Sequence, residues 1–349
     1  MKLTSNDRKL IRILLSKSNN CSVIRKLGQH IIQNNNFCEL EPFHLIDEAD
    51  FQKFYHKLSD KITDLITIFN EDYPYELKQI YDPPLLLYVN GFKSLLSKKK
   101  ISIIGGRNAA YSDLNFIQDL ASFLSKQGFV IVSGLANGID TYAHKGAGAE
   151  NTIAVIASGI DICYPKQNYY LFEDIKTKGL VLSENNLGCP PIAKLFPRRN
   201  RIIVGLSSLT IASNVKLKSG SMLTCRLVIE NNRDLIVIPG PPNDIKHYGS
   251  NKLISDGANI FTNFDDLAEF LKAIYDIKLE SCDTNNKSPK FHSNFPKDDL
   301  RNFIPASGIF FDDLIFQTNF EKAELLERIS EFEIQDLIFI DHKKRIFLK

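Results

Sequence analysis

From Ile101 to Ile238 the chain alternates short apolar runs with amphipathic stretches, and this pattern limits the fold more than any other feature. Ile101–Ile104, Phe129–Val132, Thr152–Ala157, Leu180–Ser183, Ser208–Ala212 and Leu235–Ile238 read as buried strands. Between them, Ser112–Gln127 puts Leu114, Ile117, Leu120, Ala121 and Leu124 on one helix face, with Ser112 as cap and Gly128 as stop. Asp140–Ala149, Tyr169–Lys178 and Met222–Asn231 read as further helices. Strands and helices in βαβ order predict an α/β fold with a doubly wound, mainly parallel sheet. Ligands of such sheets bind beyond the carboxyl ends of the strands.

Those strand ends share a signature. Gly105-Gly106, Ser133-Gly134, Ser158-Gly159 and Pro239-Gly240 each follow an apolar run. Glycine there permits close backbone approach, and free amides at the following helix starts favour anions. Lys218-Ser219-Gly220-Ser221 opens the Met222 helix in the same manner. Together they predict a phosphate-binding rim.

Charge concentrates in one place. The whole chain has 43 basic and 41 acidic residues, yet Lys194–Arg226 has seven Lys or Arg and no acid. The window contains FPRRNR at 196–201, so Phe196 stands beside Arg198, Arg199 and Arg201. An aromatic ring among guanidinium groups suits single-stranded nucleic acid, whose bases stack while its phosphates take the cations. A solvated charged face is the competing interpretation.

Other chemistries lack their motifs. There is no G-x-x-x-x-G-K-[ST] and no G-x-G-x-x-G after the first strand, and Gly146-x-Gly148 falls at a helix end, so a nucleotide cofactor is not expected. Neither G-x-S-x-G nor H-E-x-x-H occurs. Asp140 and His144, at i and i+4, could form an acid–base pair but read as a local structural pair, and His247 reads as a loop residue. The six cysteines form no C-x-x-C and no metal spacing, which predicts reduced thiols and no metal. MKLTSNDRKLIRILL is no signal peptide, and no apolar run nears the roughly 18 residues of a membrane span, so a cytoplasmic location without a membrane role is expected.

Four regions follow. Residues 1–70 read as a small helical accessory domain, with Leu10–Leu15 and Phe51–Leu58 as amphipathic helices. Residues 71–278 form the main domain, entered through the helix-breaking Pro74 and Pro83-Pro84. Residues 279–303 are polar and turn-rich, a linker, and 304–349 read as a winged-helix-like domain.

Several stretches, in order, resemble the DNA-processing protein A family. They are YPYELKQIYDPPLLLYVNG at 73–91, IGGRNAAYSD at 104–113, SGLANGIDTYAHKGA at 133–147, TIAVIASGIDICYPKQN at 152–168 and LSENNLG at 182–188. FPRRNRIIVGLS at 196–207, KSGSMLTCRLVIENNRDLIVIPG at 218–240 and GSNKLISDGA at 249–258 continue the series. The resemblance implies an extended Rossmann-like domain that binds single-stranded DNA without catalysis or cofactor. It also implies a homodimer that protects incoming strands and loads the RecA recombinase during natural transformation, and it makes the accessory domain SAM-like.

By that resemblance the DNA-binding residues are Gly106, Arg107, Ser133, Gly134, Lys194, Phe196, Arg198, Arg199, Asn200, Arg201, Lys218, Ser219, Gly220, Ser221 and Thr224. Arg107, Arg199, Arg201 and Lys218 would be phosphate counter-ions, and Phe196 would stack on a base. Asn137 stands where the family has arginine, and Asn214 where it has glutamate, leaving local charge unchanged. The alternative is a nucleoside-monophosphate phosphoribohydrolase on a related fold, with Asp140 or Glu184 as its carboxylate; its P-G-G-x-G-T signature is missing.

Overall fold

The computed structural model describes residues 3–16, 27–28, 30–31, 44–59, 62–275 and, between short gaps, 300–348. Most of the expected linker, residues 279–299, lies outside the described residues, as do the Asn run at 34–36 and three of the cysteines. Two compact units divide the chain, Met1–Glu280 and Ser281–Lys349.

The first unit holds a nine-stranded sheet in the order β1-β2-β6-β5-β4-β3-β7-β8-β9. Its strands are β1 Asp64–Thr67, β2 Leu86–Gly91, β3 Lys100–Gly105, β4 Val130–Ser133, β5 Thr152–Ile156, β6 Leu180–Ser183, β7 Leu209–Ser213, β8 Asp234–Val237 and β9 Asn259–Ile260. The seven strands from β3 onward run parallel, and β1 and β2 pair antiparallel at one edge. The chain winds outward from β3 through β4 and β5 to β6, then returns to place β7 on the other side of β3. That reversal puts the topological switch at β3, where α/β sheets open a crevice.

Alternate side chains of each strand feed two cores. Val130, Val132, Ile153, Val155, Leu180 and Leu182 join one. Ile101, Ile103, Ile131, Leu209 and Ile211 face the other, under Ile117, Leu120 and Leu124 of helix α4, Tyr111–Lys126. Because both faces are covered, the strands read as continuous apolar runs, as parallel strands do.

Two local expectations need correction. Asp64–Thr67 falls within the span read as helical, yet it is a strand, paired in register with Leu86–Val89. Among the described residues of that span, α1, Ser5–Leu15, and α2, Glu48–Ser59, carry the helical reading. Helix α4 is capped at Ala110, not Ser112; the Asp113 carboxylate accepts the Ala110 amide at 3.3 Å, placing an acid at the positive end of the helix dipole. The arginine run and the residues that follow it lie on one helix, Leu195–Gly205.

The remaining helices of this unit are α3 Tyr75–Lys78, α5 Ile139–Ala147, α6 Tyr169–Lys178, α7 Leu195–Gly205, α8 Gly220–Glu230, α9 Tyr248–Ser255 and α10 Phe264–Tyr275. The second unit has a three-stranded antiparallel sheet, Ile309–Phe310, Arg345–Leu348 and Ile338–Ile340 in spatial order, with helix Lys322–Ile334. Among the described residues no helix is long and apolar enough to cross a membrane.

Candidate nucleic-acid interface

An open pocket lies at the carboxyl ends of β3, β4 and β5. Arg107 from the turn after β3, Gly134 after β4, Ser158 after β5, and Phe196 and Arg199 from the first half of α7 all line it. The Arg107 guanidinium sits over the Phe196 ring, 5.6 Å from its centroid. Tyr164 meets Phe196 edge-on, with centroids 5.7 Å apart and ring planes at 63°. Two rings at an open angle beneath an exposed arginine can hold a flat, anionic ligand by stacking and charge. The sequence reading missed Tyr164; its available signal was an aromatic residue next to Pro165 in a strand-end loop.

The arginine run splits by direction. Arg198 is exposed, whereas Arg199 and Arg201 are buried. Arg199 Nη1 donates to the Gly134 carbonyl at 2.6 Å and to the Val155 carbonyl, and Nε donates to Asn200 Oδ1 at 3.1 Å. Burial lowers its pKa to about 10, opposed by nearby Asp140 and assisted by Arg107. Arg199 therefore ties the ends of β4 and β5 together while one edge lines the pocket. Arg201 is committed to Glu184, 2.5 Å from Nη2, and to Asp82, both through its carbonyl and at 3.2 Å through its carboxylate. Arg198 Nε reaches the other Glu184 oxygen at 3.3 Å.

Helix periodicity explains the split. Arg198, Arg199 and Arg201 occupy one turn of α7, so their side chains leave the axis at different angles, and Ile202, Ile203 and Val204 continue the buried side. Acid absent from the local sequence is supplied by other segments of the fold.

Other expected contacts are also turned inward. Ser133 Oγ donates to the Ile103 carbonyl at 2.6 Å, and Ser221 Oγ to the Gly105 carbonyl at 2.6 Å. Thr224 Oγ1 donates to Gly220 at 3.0 Å and accepts Asn200 Nδ2 at 2.8 Å. Ser219 caps α8, its Oγ accepting the Met222 amide at 3.1 Å. Lys194, Arg198, Lys218 and Gly220 remain exposed, with Arg107.

The strand-end glycines make room for protein rather than for ligand. A Cβ on Gly105 would lie 2.3 Å from the Ser213 carbonyl oxygen, and one on Gly106 would lie 2.7 Å from the Asn214 carbonyl oxygen. On Gly134 it would meet the Arg199 guanidinium at 2.6 Å. At Gly240 it would collide with His247.

Asp140 and His144 do not pair with each other. Asp140 Oδ2 accepts the Gly134 and Ala136 amides at 3.2 and 3.4 Å, and burial raises its pKa. His144 Nε2 accepts the Leu135 amide at 3.3 Å, while Nδ1 lies 2.7 Å from Thr152 Oγ1. Thr152 spends its own proton on the Ile131 carbonyl, so Nδ1 carries the hydrogen and the ring is neutral. Burial, with Arg199 nearby, lowers the His144 pKa to about 3. Both side chains thus brace the turn beneath the pocket.

His247, read as a loop residue, is buried at the start of α9, with Nε2 3.0 Å from Asn214 Nδ2 and 3.4 Å from Asp113. Asn214 adopts φ +56 and donates to Asp113 Oδ2 at 2.6 Å. A glutamate there would set two carboxylates against each other.

Comparison with known proteins identifies the architecture. The family model for DNA recombination-mediator protein A matches residues 64–272. The chain is 39% identical over 234 residues to DNA processing protein DprA of Streptococcus pneumoniae, a match spanning 66% of this chain and 81% of that protein. It is 37% identical over 232 residues to DNA processing protein DprA of Bacillus subtilis, covering 64% and 78%. The X-ray structure of DNA processing protein A from S. pneumoniae superimposes with TM-score 0.65 at 33% identity, over 77% of this chain and 98% of that one. A structure of DNA processing protein A from Helicobacter pylori, described for its unique single-stranded DNA binding mode, gives TM-score 0.56 at 33% identity, over 60% and 96%. The matching family is described as that of a DNA recombination-mediator protein. The chain belongs to the DNA recombination-mediator protein A family.

Proposed function

We propose that this protein binds single-stranded DNA without regard to sequence and acts on it as a recombination mediator, protecting the strand and loading RecA recombinase during natural transformation. The pocket carries the reading: Arg107 above Phe196, with Tyr164 edge-on, offers one stacking niche and one phosphate cation within a few ångströms. A base stacked on Phe196 contributes roughly 1–3 kcal/mol, and phosphates on Arg107, Lys194, Arg198 and Lys218 add a salt-dependent term. Arg199, Arg201, Ser133, Gly106 and Thr224 act as the frame that holds the exposed groups in place. Stacked base pairs in a duplex do not present a free base face to such a niche, which favours the single strand.

Resemblance to the family extends the proposal to a cytoplasmic homodimer. It also makes residues 304–349 a winged-helix-like module, a reading that the helix Lys322–Ile334 and the paired strands Ile338–Ile340 and Arg345–Leu348 support.

A mobility-shift series with single- and double-stranded oligonucleotides of several sequences, across salt, tests the central claim. Tighter retention of single strands, with similar affinity across sequences and a steep salt slope, is expected. Equal retention of both forms, or none at moderate salt, would refute it. Light scattering reads the dimer, and the rate of RecA filament formation on the bound strand reads the loading role.

A further inference from the structure

We infer that a bound single strand runs past the Phe196 pocket, across the end of β3, onto a second subsite formed by Lys216, Lys246, Tyr248 and Tyr111. This rests on the single-stranded DNA reading above and extends its path to the β7 side of the switch point.

Three elements meet there. The loop after β7 is fixed to β3 at its far end by Ser221 Oγ, which donates to the Gly105 carbonyl at 2.6 Å, two residues before Arg107. The first turn of α9 lies on the near end: the Ser250 amide donates to the Val215 carbonyl at 3.1 Å, and the Val215 amide to Ser250 Oγ at 3.0 Å. A Cβ on Gly249 would lie 2.6 Å from the Val215 carbonyl oxygen, so Tyr248 stands directly beside this loop. Asn214 ties in the first turn of α4, which carries Tyr111, through its 2.6 Å bond to Asp113.

The charge of this face follows from where its acids point. Asp113 and Asp244 lie 3.4 and 3.7 Å from buried His247 Nε2, and Asp113 is also held by Asn214. Both carboxylates are partly withdrawn from solvent, Asp113 to 23% and Asp244 to 34% exposure. Lys216 and Lys218 are exposed and Lys246 half-buried, and among the described residues none of the three forms an ion pair. Tyr111 and Tyr248 are 59% and 40% exposed, so both rings are open to a ligand on this face. Rings that accept any base, interleaved with cations that track phosphates, are what a strand bound without sequence preference requires. The arrangement continues the chemistry of the first pocket on the opposite side of Arg107.

Oligothymidines of about 4 and about 16 residues, bound to the full chain across a salt series, separate the two subsites, since such lengths bracket one binding site. The variants are Tyr248→Ala and the double change Lys216→Ala with Lys246→Ala. Tyr248→Ala is expected to weaken the longer oligonucleotide about fivefold or more and to leave the shorter one unchanged. The double variant is expected to lower the slope of log affinity against log salt by about 1.4 for the longer one, at about 0.7 per phosphate. An unchanged affinity and slope for the longer oligonucleotide in both variants overturns the subsite. Equal losses at both lengths also overturn it, because the effect would then belong to the first pocket. If the unaltered protein retains neither oligonucleotide, the single-stranded DNA reading itself fails and takes this inference with it. Should the variants instead lose only a protein partner of the strand exchange reaction, the surface is a protein-docking face and the inference is wrong.

Discussion

Arg201 gives Nη2 to Glu184 at 2.5 Å, and this ion pair turns one member of the basic run into the protein. Its side chain is 9% exposed and that of Glu184 16%. Arg198, on the same carboxylate at 3.3 Å, is 54% exposed. Two arginines of one helical turn thus have separate duties.

Arg201→Ala should therefore lower folding stability by about 3 kcal/mol, the low end for removing one partner of a buried pair, because Glu184 keeps some contact with water. Arg198→Ala should change stability by no more than about 0.5 kcal/mol while weakening oligonucleotide retention. Urea denaturation paired with mobility shifts reads both. Equal stability losses would contradict the division.

At the pocket, Phe196→Ala should weaken single-strand binding by about 1–3 kcal/mol with little change in salt dependence, since it removes stacking and no charge. Arg107→Ala should instead reduce the salt slope by about 0.7, one phosphate's share on a single strand. Fluorescence titrations at several salt concentrations separate the two signatures.

His144 makes stability depend on pH. Its pKa falls from 6.5 unfolded to about 3 folded, so the unfolded chain binds the proton first. The stability tied to the neutral ring is complete above about pH 6.5 and is lost as pH falls toward 3. Between pH 7 and 5 the loss should be about 2 kcal/mol. His144→Asn should flatten that part of the profile. Asp140, whose raised pKa acts in the opposite sense above the ordinary carboxyl range, is common to both proteins and cancels in the comparison.

Much of the parallel sheet was legible because each strand is buried on both faces and so appears as an unbroken apolar run. The edge strand Asp64–Thr67 was not: four residues, DLIT, gain their strand character from antiparallel pairing with Leu86–Val89. In the candidate site, Phe196 was legible from its place in the FPRRNR run and Arg107 from the turn after the first strand. The fates of Arg199 and Arg201 were not, because their partners Gly134, Val155, Glu184 and Asp82 arrive from distant segments. Tyr164 was hidden for a similar reason, since only the fold brings it against Phe196. Asp140 and His144 show the converse error: adjacency on a helix face suggested a pair, but each is engaged by backbone of the preceding turn.

Gly134→Ala should be destabilising by about 1–3 kcal/mol, because the new methyl group would lie 2.6 Å from an arginine held by two carbonyls. If the loss is relieved in a Gly134→Ala, Arg199→Lys double variant, the collision with the guanidinium is its cause. Thermal melts of the two variants provide the comparison.

Strand β2 has a further consequence, for the order of assembly. Leu86–Gly91 precedes the whole parallel half of the sheet, yet its inner neighbour is Leu180–Ser183, with Tyr88 opposite Ser183 and Gly91 opposite Leu180. As the chain leaves the ribosome, an apolar strand is made first and its partner only after three crossover connections. Closing so long a loop is slow and leaves unpaired strand edge exposed meanwhile. The segment that introduces the domain thus waits for β6 before its inner edge is paired, and the nascent chain exposes that edge until β6 emerges.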